Sequence, residues 1–205
     1  MNTDITNVQE LTCSDLFLNK LRQSTADSHK KLESLPVSRS ITSPQITKSD
    51  YTFYLSLMGD VVNDMETHIF PLLKPLLPDI DERRKTSWIV DDLSVLEYRK
   101  NPYSPVFKNP AVSVPFALGM MYVVEGSVLG GRFILQNIQA SLGFNEEGAR
   151  YFTGYGNKTG SYWKKFLKAF ADYAIINNAE EEMVAGANFA FEQIYKHLNQ
   201  AANEN

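Results

Sequence analysis

A single cysteine, Cys13, stands among 205 residues. The chain therefore builds no internal disulfide framework and no site that needs paired thiols, CxxC zinc and redox motifs included. Histidine is nearly as scarce: His29, His68 and His197 are the whole supply, and a multi-histidine zinc site would need almost all of them at one point. Positive charge is not in excess. Twenty Lys and Arg against 24 Asp and Glu leave a net charge of −4 and a pI of about 5.4, without the electrostatic footprint of a nucleic-acid binder. The same balance argues against attachment to an anionic membrane surface. The longest uncharged stretch, between Lys108 and Glu125, contains Pro110 and Pro115 and is shorter than the roughly 20 residues that cross a bilayer. The first twenty residues hold acids and amides where a secretion signal would place positive charge and then an apolar run. A soluble cytoplasmic protein, with no nucleic-acid or membrane partner, is expected.

What is present is a core-forming composition, 43% hydrophobic and 21% charged, in a length suited to one domain. Residues 1–15 read as a polar tail and 16–205 as the domain. No repeat or low-complexity tract interrupts it. Helical periodicity dominates. A first helix spans about Ser14 to Ser34, with Ser14 or Asp15 as possible caps but no glutamate or glutamine three residues on. After a turn-rich stretch from Leu35 to Thr47, a second is capped by Ser49 or Asp50 and keeps its period until Pro71. A weaker one covers Ile80 to Leu96. Others run from Val114 to Leu142, Gly160 to Ile176 and Ala179 to Ala201. No period-two alternation is long enough for a strand, so the fold class is all-α.

Two features break their own local rules. The Val114–Leu142 helix contains Gly119, Gly126, Gly130 and Gly131, each costing about 1 kcal/mol relative to alanine. At 100° per residue Gly119, Gly126 and Gly130 fall on one narrow arc. Such a strip admits something flat and lets a helix bend; close helix–helix packing uses small residues equally well. The second feature is His29, on a face with Leu18, Leu21, Thr25 and Leu32. Glu33, at i+4, can accept its second ring N–H, which suits either a metal ligand or a buried, satisfied histidine. One imidazole cannot close a structural zinc site. It can serve as the axial ligand of a haem iron, whose equatorial bonds come from the macrocycle.

Two segments carry a resemblance. LRQSTADSHKKLE (Leu21 to Glu33) and YVVEGSVLGGRFI (Tyr122 to Ile134) resemble the proximal and distal helices of heme oxygenases, most closely the bacterial phytochrome-associated type. The likeness covers about Leu18 to Leu198. It implies a single-domain helical fold gripping haem between those helices, with His29 as iron ligand and Glu33 as its partner. It implies Gly126, Ser127, Gly130 and Gly131 on a flexible distal helix over bound oxygen, and Thr25 within the haem site. Arg22, Lys164 and Lys168 match positions that pair haem propionates; a solvated basic face is the other reading of that i, i+4 lysine pair. Phe191 resembles an aromatic at the haem edge, though core packing explains it almost as well.

The implied reaction opens haem, both cofactor and substrate, with dioxygen and external electrons to biliverdin, carbon monoxide and ferrous iron. The glycine run GYGNKTG (Gly154 to Gly160) has the wrong spacing for a nucleotide and follows no strand. Electrons therefore come from a separate ferredoxin or reductase, with Lys164, Lys165 and Lys168 as a docking patch. A bilin-binding phytochrome is a possible downstream partner. One departure matters: Ser127 stands where mammalian members carry an aspartate that organises proton delivery, and Glu125, two residues away, points elsewhere. That serine gives weight to a non-catalytic haem-binding or haem-transfer protein as the alternative. A different enzyme on a similar helical fold is a third.

Overall fold

A computed structural model describes residues 11–100, 102–108 and 112–203; most of the expected tail lies outside these residues. Helix α1 (Cys13–Glu33) begins inside that tail. Its cap is Thr12, whose hydroxyl accepts from Asp15 N at 3.1 Å while the Asp15 carboxylate accepts from Thr12 N at 3.0 Å. Aspartate thus does the work that a capping box usually assigns to glutamate. Thr47 and Asp50 repeat the arrangement at α3 (Lys48–Asp64). Between them lies α2 (Pro36–Ser40), a single turn opened by a proline at its start and set within the stretch expected to be turns.

Pro71 does not end the second long helix. The chain passes through a π-turn, Met65–Ile69, into α4 (Phe70–Leu73). A wider turn gives the pyrrolidine ring the room that an α-helix would deny it. The weaker helix divides into a 3₁₀ turn, Ile80–Arg83, and α5 (Thr86–Val95), and the break between them sends Arg83 and Lys85 into the interior.

The long helix α6 (Val114–Leu142) has its expected bounds. It is followed by α7 (Glu146–Thr153), α8 (Thr159–Asn177) and α9 (Glu180–Asn203). Among the described residues there is no strand; the fold is all-α. The first half of α6 lies almost backbone to backbone on α9. A Cβ at Gly119 would meet the Met183 carbonyl oxygen at 2.0 Å, and one at Gly186 would meet the Phe116 carbonyl oxygen at 2.1 Å. The expected glycine arc is therefore divided: Gly119 serves helix packing, while Gly126 is left for another purpose. α6 is long and apolar enough to cross a bilayer, yet half of that window is buried within the fold. Helix α1 packs on α8 and α9, with Phe17 stacked on Phe170 at 5.5 Å.

α7 is irregular. Gly148 has φ +88° and residues 147–149 are non-helical. It is held from outside by the Asp92 carboxylate, which accepts from Arg150 N at 2.9 Å and Tyr151 N at 2.8 Å. The buried Tyr51 hydroxyl donates to Gly148 O at 2.7 Å.

Candidate functional site

A cavity of about 530 Å³ separates α1 from α6, within the range of small-molecule sites. From α1 it takes Arg22, Thr25, Ala26, His29, Lys30 and Glu33, one face at i, i+3, i+4 and i+7 spacing. From α6 it takes Tyr122, Val123, Gly126, Ser127 and Leu129. Tyr54 and Met58 of α3, Trp163 of α8 and Phe191 of α9 complete most of the wall.

His29 lies on this lining with its side chain about half exposed, and its Nδ1 is 3.4 Å from Glu33 Oε2. Its ring meets Phe191 edge to face, centroids 5.8 Å apart. That contact sets the plane of the imidazole, and among the described residues no hydrogen bond engages Nε2. His68 and His197 are paired with Asp64 at 2.6 Å and Asp60 at 3.1 Å, away from the cavity. Thr25 presents little polarity to the space, because its hydroxyl is committed to Leu21 O at 2.9 Å. Arg22 reaches Tyr122 across the gap between the helices. Burial pushes the Tyr122 hydroxyl up, and the charge and hydrogen bond of Arg22 oppose that rise.

The far wall is bare at Gly126, where a Cβ would approach the Trp163 ring at 3.4 Å. Gly130 and Gly131 do not line the cavity. Gly130 has open space beside it, and Gly131 is buried against α7, its would-be Cβ 3.1 Å from Phe152 O. Gly130 shares the arc of Gly126 but lies one turn further along α6, beyond the lined stretch, whereas Gly131 sits well round the helix and faces α7. Ser127 donates its hydroxyl to Val124 O at 2.7 Å and shares the lining of a small cavity with the buried Tyr151. This second space, of about 40 Å³, is also bounded by Tyr54, Met58 and Phe152. Burial pushes the Tyr54 hydroxyl up to about 12 and raises that of Tyr151 as well.

Lys164 and Lys168 also fall outside the lining. The buried face of α8 is Phe166, Phe170, Ala171 and Ala174, which turns both lysines outward. Lys168 donates to Asp172 at 2.6 Å, and Lys165 pairs with Asp79 at 3.0 Å. Sequence reasoning missed Lys30, Tyr54, Met58, Tyr122 and Trp163 as lining residues. Tyr122 was within reach, since it stands one helical turn before Gly126 on the same arc.

Glu125 points away from the cavity into a buried ionic cluster. Its carboxylate binds Arg83, Lys85 at 3.3 Å and the Tyr155 hydroxyl at 3.0 Å. Arg83 also pairs with Asp79 at 3.0 Å. Burial lowers the Lys85 ammonium, with Glu125 acting in the opposite direction.

A model of the heme oxygenase family matches residues 15–200. The chain belongs to the heme oxygenase family. It is 28% identical over 185 residues to heme oxygenase PigA of Pseudomonas aeruginosa, covering 89% of this chain and 91% of the relative. Among solved structures it resembles the NO- and CO-bound heme oxygenase of Neisseria meningitidis, with a TM-score of 0.77 and 26% identity over 91% of this chain and 92% of the other. The haem complex of heme oxygenase-1 from the cyanobacterium Synechocystis shares the fold, with a TM-score of 0.71 and 19% identity over 92% and 93% of the two chains. The chain is a haem-degrading enzyme that forms biliverdin; the carrier alternative is not favoured.

Proposed function

We propose that haem is held in the cavity between α1 and α6, with His29 as its iron ligand. The observation that carries this is His29 Nε2, which has no hydrogen-bond partner among the described residues, on the wall opposite the bare backbone at Gly126. The residues fit the group. Among the described residues no cluster of three or more His, Cys, Asp or Glu converges, so a metal at His29 brings its other ligands with it, as a porphyrin does. Glu33 orients the imidazole through Nδ1, and Phe191 braces its edge. Arg22 and Lys30 are the cations on the lining, suited to the propionates. Lys164 and Lys168 then act from outside the cavity, on the α8 surface that an electron donor would meet.

When bound, haem supplies the iron at which dioxygen is activated and is itself the ring that is opened. The chain's part is orientation, exclusion of water and supply of protons. Ser127 Oγ and the Tyr151 hydroxyl flank the 40 Å³ space, which has room for one water. A water there would hold a proton between two hydroxyls at the cavity wall, the task for which this chain has no carboxylate at Ser127. Electrons reach the site from an external ferredoxin or reductase.

Hemin titration of the purified chain, followed by reductant in air, tests the site. The Soret band of the wild type is expected to decay as biliverdin absorbance grows. His29→Ala is expected to change the hemin spectrum and abolish turnover. An unaltered spectrum and rate in that variant would remove His29 from the iron.

A further inference from the structure

α6 is tied down at two places, and the stretch between the ties holds the bare part of the cavity wall. The first tie is Glu125, 3% exposed, with both carboxylate oxygens engaged by Arg83, Lys85 and Tyr155. The second is Asn137, whose Nδ2 donates to Ile41 O at 3.0 Å and Ser43 O at 2.8 Å. Ser141 adds a bond to Pro44 O at 3.2 Å. Between them residues 126–136 include Gly126, Gly130 and Gly131, while Leu129 and Phe133 are exposed. Their support is α7 and the residue that caps it, through Gly131 against Phe152 and Val128 against Gly154.

We propose that Glu125 and Asn137 are positioning residues that confine bending of α6 to residues 126–136 and so set the height of the wall over the haem. The physical argument is one of contrast. Glycines lower the resistance of a helix to bending, so without ties the bend would spread along α6. Buried ion pairs contribute little net stability for the desolvation they require, but a fully satisfied cluster holds one geometry. Asn137 likewise clasps two carbonyls of one loop with a single amide nitrogen, which allows no slip along the helix. The proposal rests on α6 being the haem-facing wall, and the test separates the two ideas.

The measurement is amide hydrogen exchange on the ligand-free full chain, with Asn137→Ala, Asn137→Asp and Glu125→Gln beside the wild type. Asn137→Asp keeps the shape but cannot donate, so it should behave as the alanine variant does. In both, exchange in residues 126–136 should quicken by about tenfold, the scale of losing ordinary hydrogen bonds. Residues 114–124 and helices α1 and α9 should keep their wild-type rates. Glu125→Gln should quicken the same segment, with hemin held several-fold more weakly by all three variants. Acceleration spread evenly over α1, α6 and α9, or none in 126–136 of the Asn137 variants, overturns the proposal. Failure of the wild type to bind hemin would instead remove the haem-site reading and leave the exchange pattern to be judged by itself.

Discussion

The two sides of α6 could hardly be less alike. Toward α1 the helix offers Gly126 and Ser127 to an open, largely apolar cavity. On its other side Glu125 is buried among Arg83, Lys85 and Tyr155. One side is made of what has been left out; the other is dense with charges that must all be satisfied. A pliable wall needs a fixed foundation, and here adjacent residues supply one each.

Breaking the foundation should have the largest effect. Glu125→Leu leaves the buried Lys85 without its carboxylate partner and Arg83 with Asp79 alone, and loss of one partner of a buried pair costs about 3–5 kcal/mol. Denaturant unfolding of the apoprotein checks it. A loss below about 1 kcal/mol would mean that water already reaches the cluster. Gly119→Ala comes next. Its new methyl meets the Met183 carbonyl at 2.0 Å, a backbone atom that cannot rotate aside, and overpacking of that kind costs about 1–3 kcal/mol. Gly130→Ala reverses the sign. Nothing lies within 4 Å of its would-be Cβ, so helix propensity alone acts, with a gain of up to about 1 kcal/mol. Melting of the three variants side by side would show one helix in which the same residue type is indispensable at one position and a liability at another.

That contrast also marks what the sequence can tell. The bounds of α6 and the placing of His29, Thr25 and Glu33 on one face follow from local period, because helical neighbours are fixed by spacing alone. Capping failed where the rule was read too narrowly: Thr12 and Thr47 use aspartate at the third position. Lys164 and Lys168 share a face as spacing requires, but which way that face turns is decided by Phe166 and Phe170 docking elsewhere. α7 and the Glu125 cluster were not legible, since each is completed by residues far along the chain, Asp92 and Tyr51 for the one, Arg83 and Lys85 for the other. Gly119 and Gly126 could be put on one arc by arithmetic. Only the position of α9 tells them apart.

The smallest expected effect concerns the prop beneath the pliable segment. Asp92 holds α7 through two backbone N–H groups, which favour its carboxylate, while burial favours the neutral acid. Burial is the larger influence, and it raises Asp92 from the ordinary aspartate range to about 6. A folded-state pKa above the unfolded one means that the native chain binds the proton more tightly between about pH 4 and pH 6. From this group alone, stability falls as pH rises through that window and is level above it. Asp60 and Asp79 are buried, which favours their neutral acids, yet Lys100, His197, Arg83 and Lys165 hold them below the usual range, so they push the other way, but only below about pH 4, outside this window. Comparison with Asp92→Asn isolates it: the stability of the wild type minus that of the variant should shrink from pH 4 to pH 7. A difference that grows over the same range would show that the two N–H groups outweigh burial and that α7 is propped by a permanently charged carboxylate.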